Sequence, residues 1–178
     1  NLSGLASDCG ISHSTAKGWI SVLEASFVVT LLRPHMRNFG KRMVKAPKLY
    51  FQDTGLLCHL LGIHAPDDLH AHASRGAIFE SFVLAELTKR FLHRGEPAGL
   101  AFWRDTAGHE VDFLVETGKD PIPLEAKSSR TLADDAMGGL KRWRALAKKP
   151  QAPAALVYGG DAAFVRDGVS VLPWFSFS

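Results

Sequence analysis

Residues 110–129 read EVDFLVETGKDPIPLEAKSS, and the placement of this stretch decides the fold. Two short apolar runs flank a Thr-Gly-Lys-Asp-Pro break, the pattern of two strands joined by a tight loop. Side chains alternate between the faces of a strand. Val111, Phe113 and Val115 therefore share one face, and Glu110, Asp112, Leu114 and Glu116 the other. In the second run Ile122, Leu124 and Ala126 share a face, opposite Pro123, Glu125 and Lys127. A four-residue loop over 117–120 sets Glu116 against Pro121, Asp112 against Glu125 and Glu110 against Lys127. Two carboxylates then face each other on adjacent strands, which destabilises a sheet unless something offsets it. At about 4 Å and an effective dielectric near 20 the repulsion is about 4 kcal/mol.

A divalent cation removes that conflict. Mg²⁺ takes oxygen ligands, commonly one or two carboxylates with waters and substrate phosphate. Asp112 and Glu125 are the candidate ligands, and the Ala126 carbonyl can add a third oxygen. Lys127 is then placed to orient or deprotonate a water, or to stabilise developing phosphoryl charge. The competing reading is an ion-pair cluster in which Lys127 neutralises both acids.

Upstream, SRGAIFESFVLAELTKRFLHRG (74–95) reads as a helix stopped by Gly95. Phe79, Val83, Leu84, Leu87 and Phe91 form its apolar stripe, and Glu80 falls in the middle. A carboxylate there is costly unless satisfied. AGLAFWRDTAGHEVDFLVE (98–116) reads as two strands joined near Asp105–Gly108. Asp134–Lys149 reads as a helix with Met137, Leu140, Trp143 and Leu146 apolar and Lys141, Arg142, Arg144 and Lys148 exposed. AALVYGG and GVSVLPWF read as closing strands. His59, His64, His70 and His72 read as loop histidines.

The first sixty residues have a different character. Net charge is +5 over residues 1–50 and −2 over the remainder, an asymmetry that predicts two parts with different partners. LSGLASDCGISHSTAKGWISVLE (2–24) reads as two helices around a tight turn. Gly10 is the stop, Ser12 or Ser14 the cap, and Ala16, Trp19, Ile20 and Leu23 the buried stripe of the second helix. FVVTLLRPHMRNFGKRMVKAPKLYF (27–51) reads as strand, turn, strand. Helix-turn-helix plus basic hairpin predicts a winged helix over residues 1–65, with a second domain over 66–178. Lys17, Arg33, Arg37, Lys41, Arg42 and Lys45 are the candidate DNA contacts, alongside Lys48. The second helix lacks the Arg, Asn or Gln pairs that read bases.

With 178 residues, 46% of them hydrophobic, a packed core is expected. No apolar run reaches the ~18 residues of a membrane span, and no signal peptide is visible, so a cytosolic setting is expected. Cys9 and Cys58 suggest neither a disulfide framework nor a zinc site. The chain starts at Asn1 without Met, which suggests the C-terminal part of something longer.

Glu80 … Asp112 … Glu125-Ala126-Lys127 resembles the PD-(D/E)xK nuclease superfamily, although Val111 stands where that motif has proline. More closely, KAPKLYFQDTGLLCHLLGI, RGAIFESFVLAEL, FWRDTAGHEVDFLVE and PIPLEAKSS resemble the uncharacterised C-terminal regions of prokaryotic AAA-type ATPases. The resemblance implies an α/β (α+β) fold: a winged helix followed by a restriction-endonuclease-like mixed sheet flanked by helices. It implies Asp112 and Glu125 as metal ligands, Lys127 as catalytic lysine and Glu80 as the helix carboxylate, with Mg or Mn as cofactor. It also implies DNA as partner and an upstream AAA-type ATPase domain in the same polypeptide, through which ATP would act and the assembly could oligomerise. No GxxxxGK[ST] loop occurs in this chain. The functional alternative is a non-catalytic DNA- or protein-binding module that regulates the ATPase.

Overall fold

The computed structural model describes residues 2–35, 44–118 and 120–177. Helix α1 (Leu2–Asp8) ends on Gly10, whose φ of +65° is the left-handed conformation a Cβ disfavours. Ile11 N–H reaches the Ala6 carbonyl and Gly10 N–H the Ser7 carbonyl, the paired bonds of a Schellman stop. Helix α2 (His13–Ala25) starts at Ser12, whose side chain accepts the Thr15 N–H.

Its expected buried stripe is only partly realised. Ala16 is buried and Ile20 half-buried. Trp19 is 59% exposed and Leu23 40%, and Val22 and Phe27 are also exposed. The helix rests on α1 and on strand β1 (Val29–Leu32). Two short elements cannot cover a stripe as wide as the sequence offers.

Strand β1 pairs antiparallel with β2 (Lys48–Phe51). Beyond β1 the chain continues onto the larger sheet: Phe102 N–H donates to Arg33 and His35 N–H to Phe102. Leu32 and Tyr50 share a core with Val83, Leu84, Phe102 and Phe113. The first and second parts of the chain are therefore packed through one hydrophobic cluster. Helices α3 (Thr54–Leu60) and α4 (Pro66–Ala71) lead to the long helix α5 (Arg75–Leu92).

A six-stranded mixed sheet forms the rest. Its strands are β3 (Leu100–Arg104), β4 (Glu110–Val115), β5 (Ile122–Lys127), β6 (Ala155–Tyr158), β7 (Phe164–Arg166) and β8 (Val169–Pro173). The order is β3-β4-β5-β6-β8-β7. The β3-β4-β5 part is antiparallel, whereas β5-β6 and β6-β8 are parallel. Helix α6 (Gly138–Leu146) provides the crossover that a parallel β5-β6 neighbour requires. Helix α5 packs Val83, Leu84 and Leu87 on one face of the sheet. Helix α6 packs Leu140 and Trp143 on the other, with Trp143 edge-on to Trp103 at 5.7 Å.

Arg144 departs from its expected exposure. It is buried, and its guanidinium donates to the Gly168 carbonyl at 2.7 Å. The loop after β7 folds back over α6, and Arg144 supplies the donor its carbonyls need.

The expected face alternation of β4 also fails at one place. Val111 lies with Leu114 in the core under α6, while Phe113 lies in the core under α5. The register with β3 explains this: Ala101 opposes Leu114 and Trp103 opposes Val111, so Asp112 and Phe113 together face Phe102 alone. This is a β-bulge, which shifts the phase of the strand by one residue.

Candidate functional site

The bulge sits at Asp112. On its other side β4 pairs with β5 through Val115–Ile122, Leu114–Pro123 and Phe113–Leu124. This is the register expected from a four-residue loop, and it runs toward Asp112–Glu125. At that point a side chain takes over from the ladder: Ala126 N–H donates to Asp112 Oδ2 at 3.0 Å. The carboxylate is thereby fixed to the backbone of the neighbouring strand.

Glu125 lies beside it. Asp112 is 7% exposed and Glu125 4%. Lys127 Nζ lies 3.0 Å from Glu125 Oε2 and 4.0 Å from Asp112 Oδ2. Burial, then the Asp112 charge and a hydrogen bond with its carboxyl, push the Glu125 carboxyl up to about 9. Two buried acids in contact cannot both ionise cheaply, which is why the Glu125 carboxyl is held above the usual carboxylate range. Burial pulls the Lys127 ammonium down, but Glu125 and then Asp112 outweigh it and hold the group above its ordinary value. Lys127 is thus a cation in this arrangement.

A second acid pair faces the same space. Glu80, from α5, accepts the Tyr50 hydroxyl at 3.2 Å and lies 3.7 Å from Lys48 Nζ. Lys48 also ion-pairs with Glu110, which Arg104 approaches at 3.5 Å. Burial, then the Asp112 charge, raise the Glu80 carboxyl, against the pull of Lys48 and Tyr50. Burial, then Glu80, raise the Tyr50 hydroxyl, which stays a neutral donor. Lys48, Glu80, Glu110, Asp112, Glu125 and Lys127 line an open cavity of about 410 Å³, together with Asp135 and Ala136 just before α6 and Gly139 in its first turn.

Gly139 makes the close approach of α6 feasible. A Cβ there would overlap the Glu110 carbonyl oxygen and Glu125 Oε1. The N-terminal turn of α6 therefore lies directly against the Glu125 carboxyl, where the helix dipole favours negative charge.

The structure thus brings together Glu80, Asp112, Glu125, Ala126 and Lys127. Among the described residues, no group of three or more His, Cys, Asp and Glu side chains converges as a ready metal cluster. Lys127 ion-pairs with Asp112 and Glu125, and Lys48 with Glu80 and Glu110. Of the candidate DNA contacts among the described residues, Lys48 lines this cavity and Lys17, Arg33 and Lys45 do not. Lys17 is exposed on α2, and Arg33 and Lys45 are exposed on either side of the undescribed stretch 36–43. Arg37, Lys41 and Arg42 lie outside the described residues.

Residues not anticipated in this role include Lys48 and Gly139, which line the cavity, and Tyr50, which contacts Glu80. Lys48 and Tyr50 alternate on one face of β2, a signal visible in Lys-Leu-Tyr-Phe but read as part of a basic hairpin. Gly139 carries no local signal, because its requirement comes from β4 and β5.

Comparison with known proteins places the chain in a family. Residues 75–177 match the domain of unknown function DUF4143, and the chain belongs to that family. Residues 1–67 match a second domain of unknown function, DUF8612. Two curated proteins, Uncharacterized protein Rv2008c of Mycobacterium tuberculosis and Uncharacterized protein Mb2031c of Mycobacterium bovis, are each 34% identical over 170 residues. The match covers 95% of this chain and 37% of each relative, so the chain spans little more than a third of their length. No solved structure matches the chain. Among the described residues, no helix is long and apolar enough to cross a membrane.

Proposed function

We propose that the chain is a nucleic-acid-processing module with a divalent-metal-dependent phosphodiesterase site at Asp112, Glu125 and Lys127. The observation that carries the reading is the juxtaposition of these three side chains beside the bulge in β4, two buried acids with an ammonium 3.0 Å from one of them. The mixed sheet with helices on both faces supports a restriction-endonuclease-like fold. The helix pair followed by a two-stranded sheet supports a winged helix before it.

The donor set fits Mg²⁺ or Mn²⁺. Both acids supply hard oxygens, the Ala126 carbonyl adds a neutral one, and Mg²⁺ needs only one or two carboxylates when water and substrate phosphate complete its shell. A bound ion would activate water and offset phosphoryl charge. Asp112 is oriented by Ala126 N–H, which fixes where its free oxygen points. Lys127, held as a cation, stabilises charge on a non-bridging phosphate oxygen. Glu80, satisfied by Tyr50 and Lys48, shapes the wall of the cavity. The exposed Lys17, Arg33 and Lys45, together with Arg37, Lys41 and Arg42, contact the DNA backbone. In a longer polypeptide the module works in the cytosol with an AAA-type ATPase domain, whose ATP-driven cycle and oligomer present DNA to the site.

A second reading has its own observation. The outward face of α2 carries Trp19, Val22 and Leu23, with Phe27 beyond its end. Such a face suits a protein partner better than a DNA groove. On this reading the chain is a non-catalytic regulatory module.

The test is cleavage of linear, nicked, branched and single-stranded DNA with Mg²⁺ or Mn²⁺. The nuclease reading predicts metal-dependent cleavage by the wild type that Lys127→Ala abolishes while the fold survives. Equal cleavage by both proteins would mean contamination or a site elsewhere, and none by the wild type on any substrate with its full-length context restored favours the regulatory module.

A further inference from the structure

Five acids line the cavity, the exposed Asp135 and four that are already paired with lysines. Asp112 and Glu125 are served by Lys127 from their own strand pair. Glu80 and Glu110 are served by Lys48, which arrives from β2 in the first part of the chain. Lys48 is not a loosely placed surface charge. Its ammonium lies 5.5 Å from the Phe102 ring centre and 5.8 Å from that of Tyr50. Tyr50, on the same face of β2, fixes the second Glu80 contact. Phe102 is the residue that faces the bulge at Asp112. Lys48 is therefore held in the cavity wall by Glu80, Glu110 and two aromatic rings.

We propose that Lys48 is a positioning residue that occupies the place of a second cation, so that the site takes a single divalent ion. The proposal rests on the phosphodiesterase reading above and deepens it. Oxygen ligands from two acid pairs across one cavity are what two-ion phosphoryl-transfer sites use to clamp attacking and leaving oxygens. Here one pair already holds an ammonium, which offsets part of its charge and cannot coordinate water as a metal does, and Arg104 lies 3.5 Å from Glu110. The chemistry that follows is one-ion hydrolysis, with Lys48 holding Glu80 and Glu110 in place as a fixed positive charge. It also gives the first part of the chain a direct share in the site.

The experiment counts Mn²⁺ bound by the whole chain, by calorimetric titration and by electron paramagnetic resonance of the free ion. The wild type should bind one equivalent. Lys48→Met, which keeps the length and apolar stem, should bind two. Lys48→Met with Glu110→Gln should return to one, and Lys48→Arg should stay at one. Lys48→Gln provides a second uncharged variant if the Met protein does not fold, and it too should bind two. One equivalent in every folded Lys48 variant overturns the proposal and leaves the metal site standing. Two equivalents in the wild type also overturn it. No binding by the wild type removes the phosphodiesterase reading itself, and this inference with it.

Discussion

Asp112 Oδ2 accepts the backbone N–H of Ala126 at 3.0 Å, so a side chain completes the sheet where β4 bulges away from regular pairing. The backbone thus positions the acid, alongside its contacts with Glu125 and Lys127. Asp112→Ala leaves that buried N–H without an acceptor, which costs about 1–3 kcal/mol. Asp112→Asn keeps an oxygen there. Amide exchange at Ala126 should be slow in the wild type and the Asn variant and fast in the Ala variant. Equal protection in all three would mean that another acceptor holds Ala126.

The Glu125 carboxyl sets a pH dependence whose sign is fixed. Its folded value, near 9, lies above the ordinary 4.5, so the folded metal-free protein binds the extra proton between these limits. Its contribution to stability is complete below about 4.5 and is lost as pH rises toward 9. The slope for one proton is at most about 1.4 kcal/mol per pH unit. Glu125→Gln removes the proton and should flatten this decline in chemical denaturation measured in EDTA from about pH 6 to about pH 9. A wild-type decline that persists unchanged in the variant would assign it to another group.

Two adjacent glycines should respond oppositely to alanine. Gly139→Ala drives a methyl into the Glu110 carbonyl and the Glu125 carboxyl, while a methyl at Gly138 would meet no atom within 4 Å. Overpacking at Gly139 should destabilise by about 1–3 kcal/mol. Gly138→Ala should be neutral or stabilise by up to about 1 kcal/mol through helix propensity. Thermal melts of both variants check the pair, and similar behaviour would show that α6 does not press on the site.

The exposed cations of the first part predict a particular salt response. Removing Lys17, Arg33 and Lys45 together should weaken binding to any duplex. The slope of log affinity against log salt should fall by about 0.9 for each phosphate that is no longer neutralised. Unchanged affinity and slope would assign these residues to the solvent and favour the apolar α2 face as the working surface.

Much of this arrangement is legible in the sequence. The Thr-Gly-Lys-Asp-Pro break fixes the β4–β5 register, and that register alone carries Asp112 toward Glu125 and Lys127. Gly10 and Ser12 mark their helix boundaries because both act through neighbours close in the chain. What escapes the sequence depends on distant partners. The bulge at Asp112 is set by Phe102 and Trp103 on β3, so strict alternation misplaces Val111. Arg144 looks like one more exposed charge until the carbonyls of Asp167 and Gly168 reach it. Trp19 and Leu23 have helical spacing, but the small neighbouring elements leave them uncovered. Lys48 belongs by sequence to a basic stretch and by structure to an acidic cavity.

The most direct measurement compares thermal melts of wild type and Asp112→Asn, each in EDTA and in millimolar Mn²⁺. If Asp112 and Glu125 are paired for a cation, the Asn variant in EDTA loses a like-charge repulsion and melts higher, by about 1 kcal/mol of stability at alkaline pH after solvent relaxation. Mn²⁺ should then raise the wild type by mass action and leave the variant unmoved. A lower melting temperature for Asp112→Asn in EDTA, with no Mn²⁺ shift in the wild type, would show that Asp112 serves Lys127 as a structural ion pair and contradict the metal site.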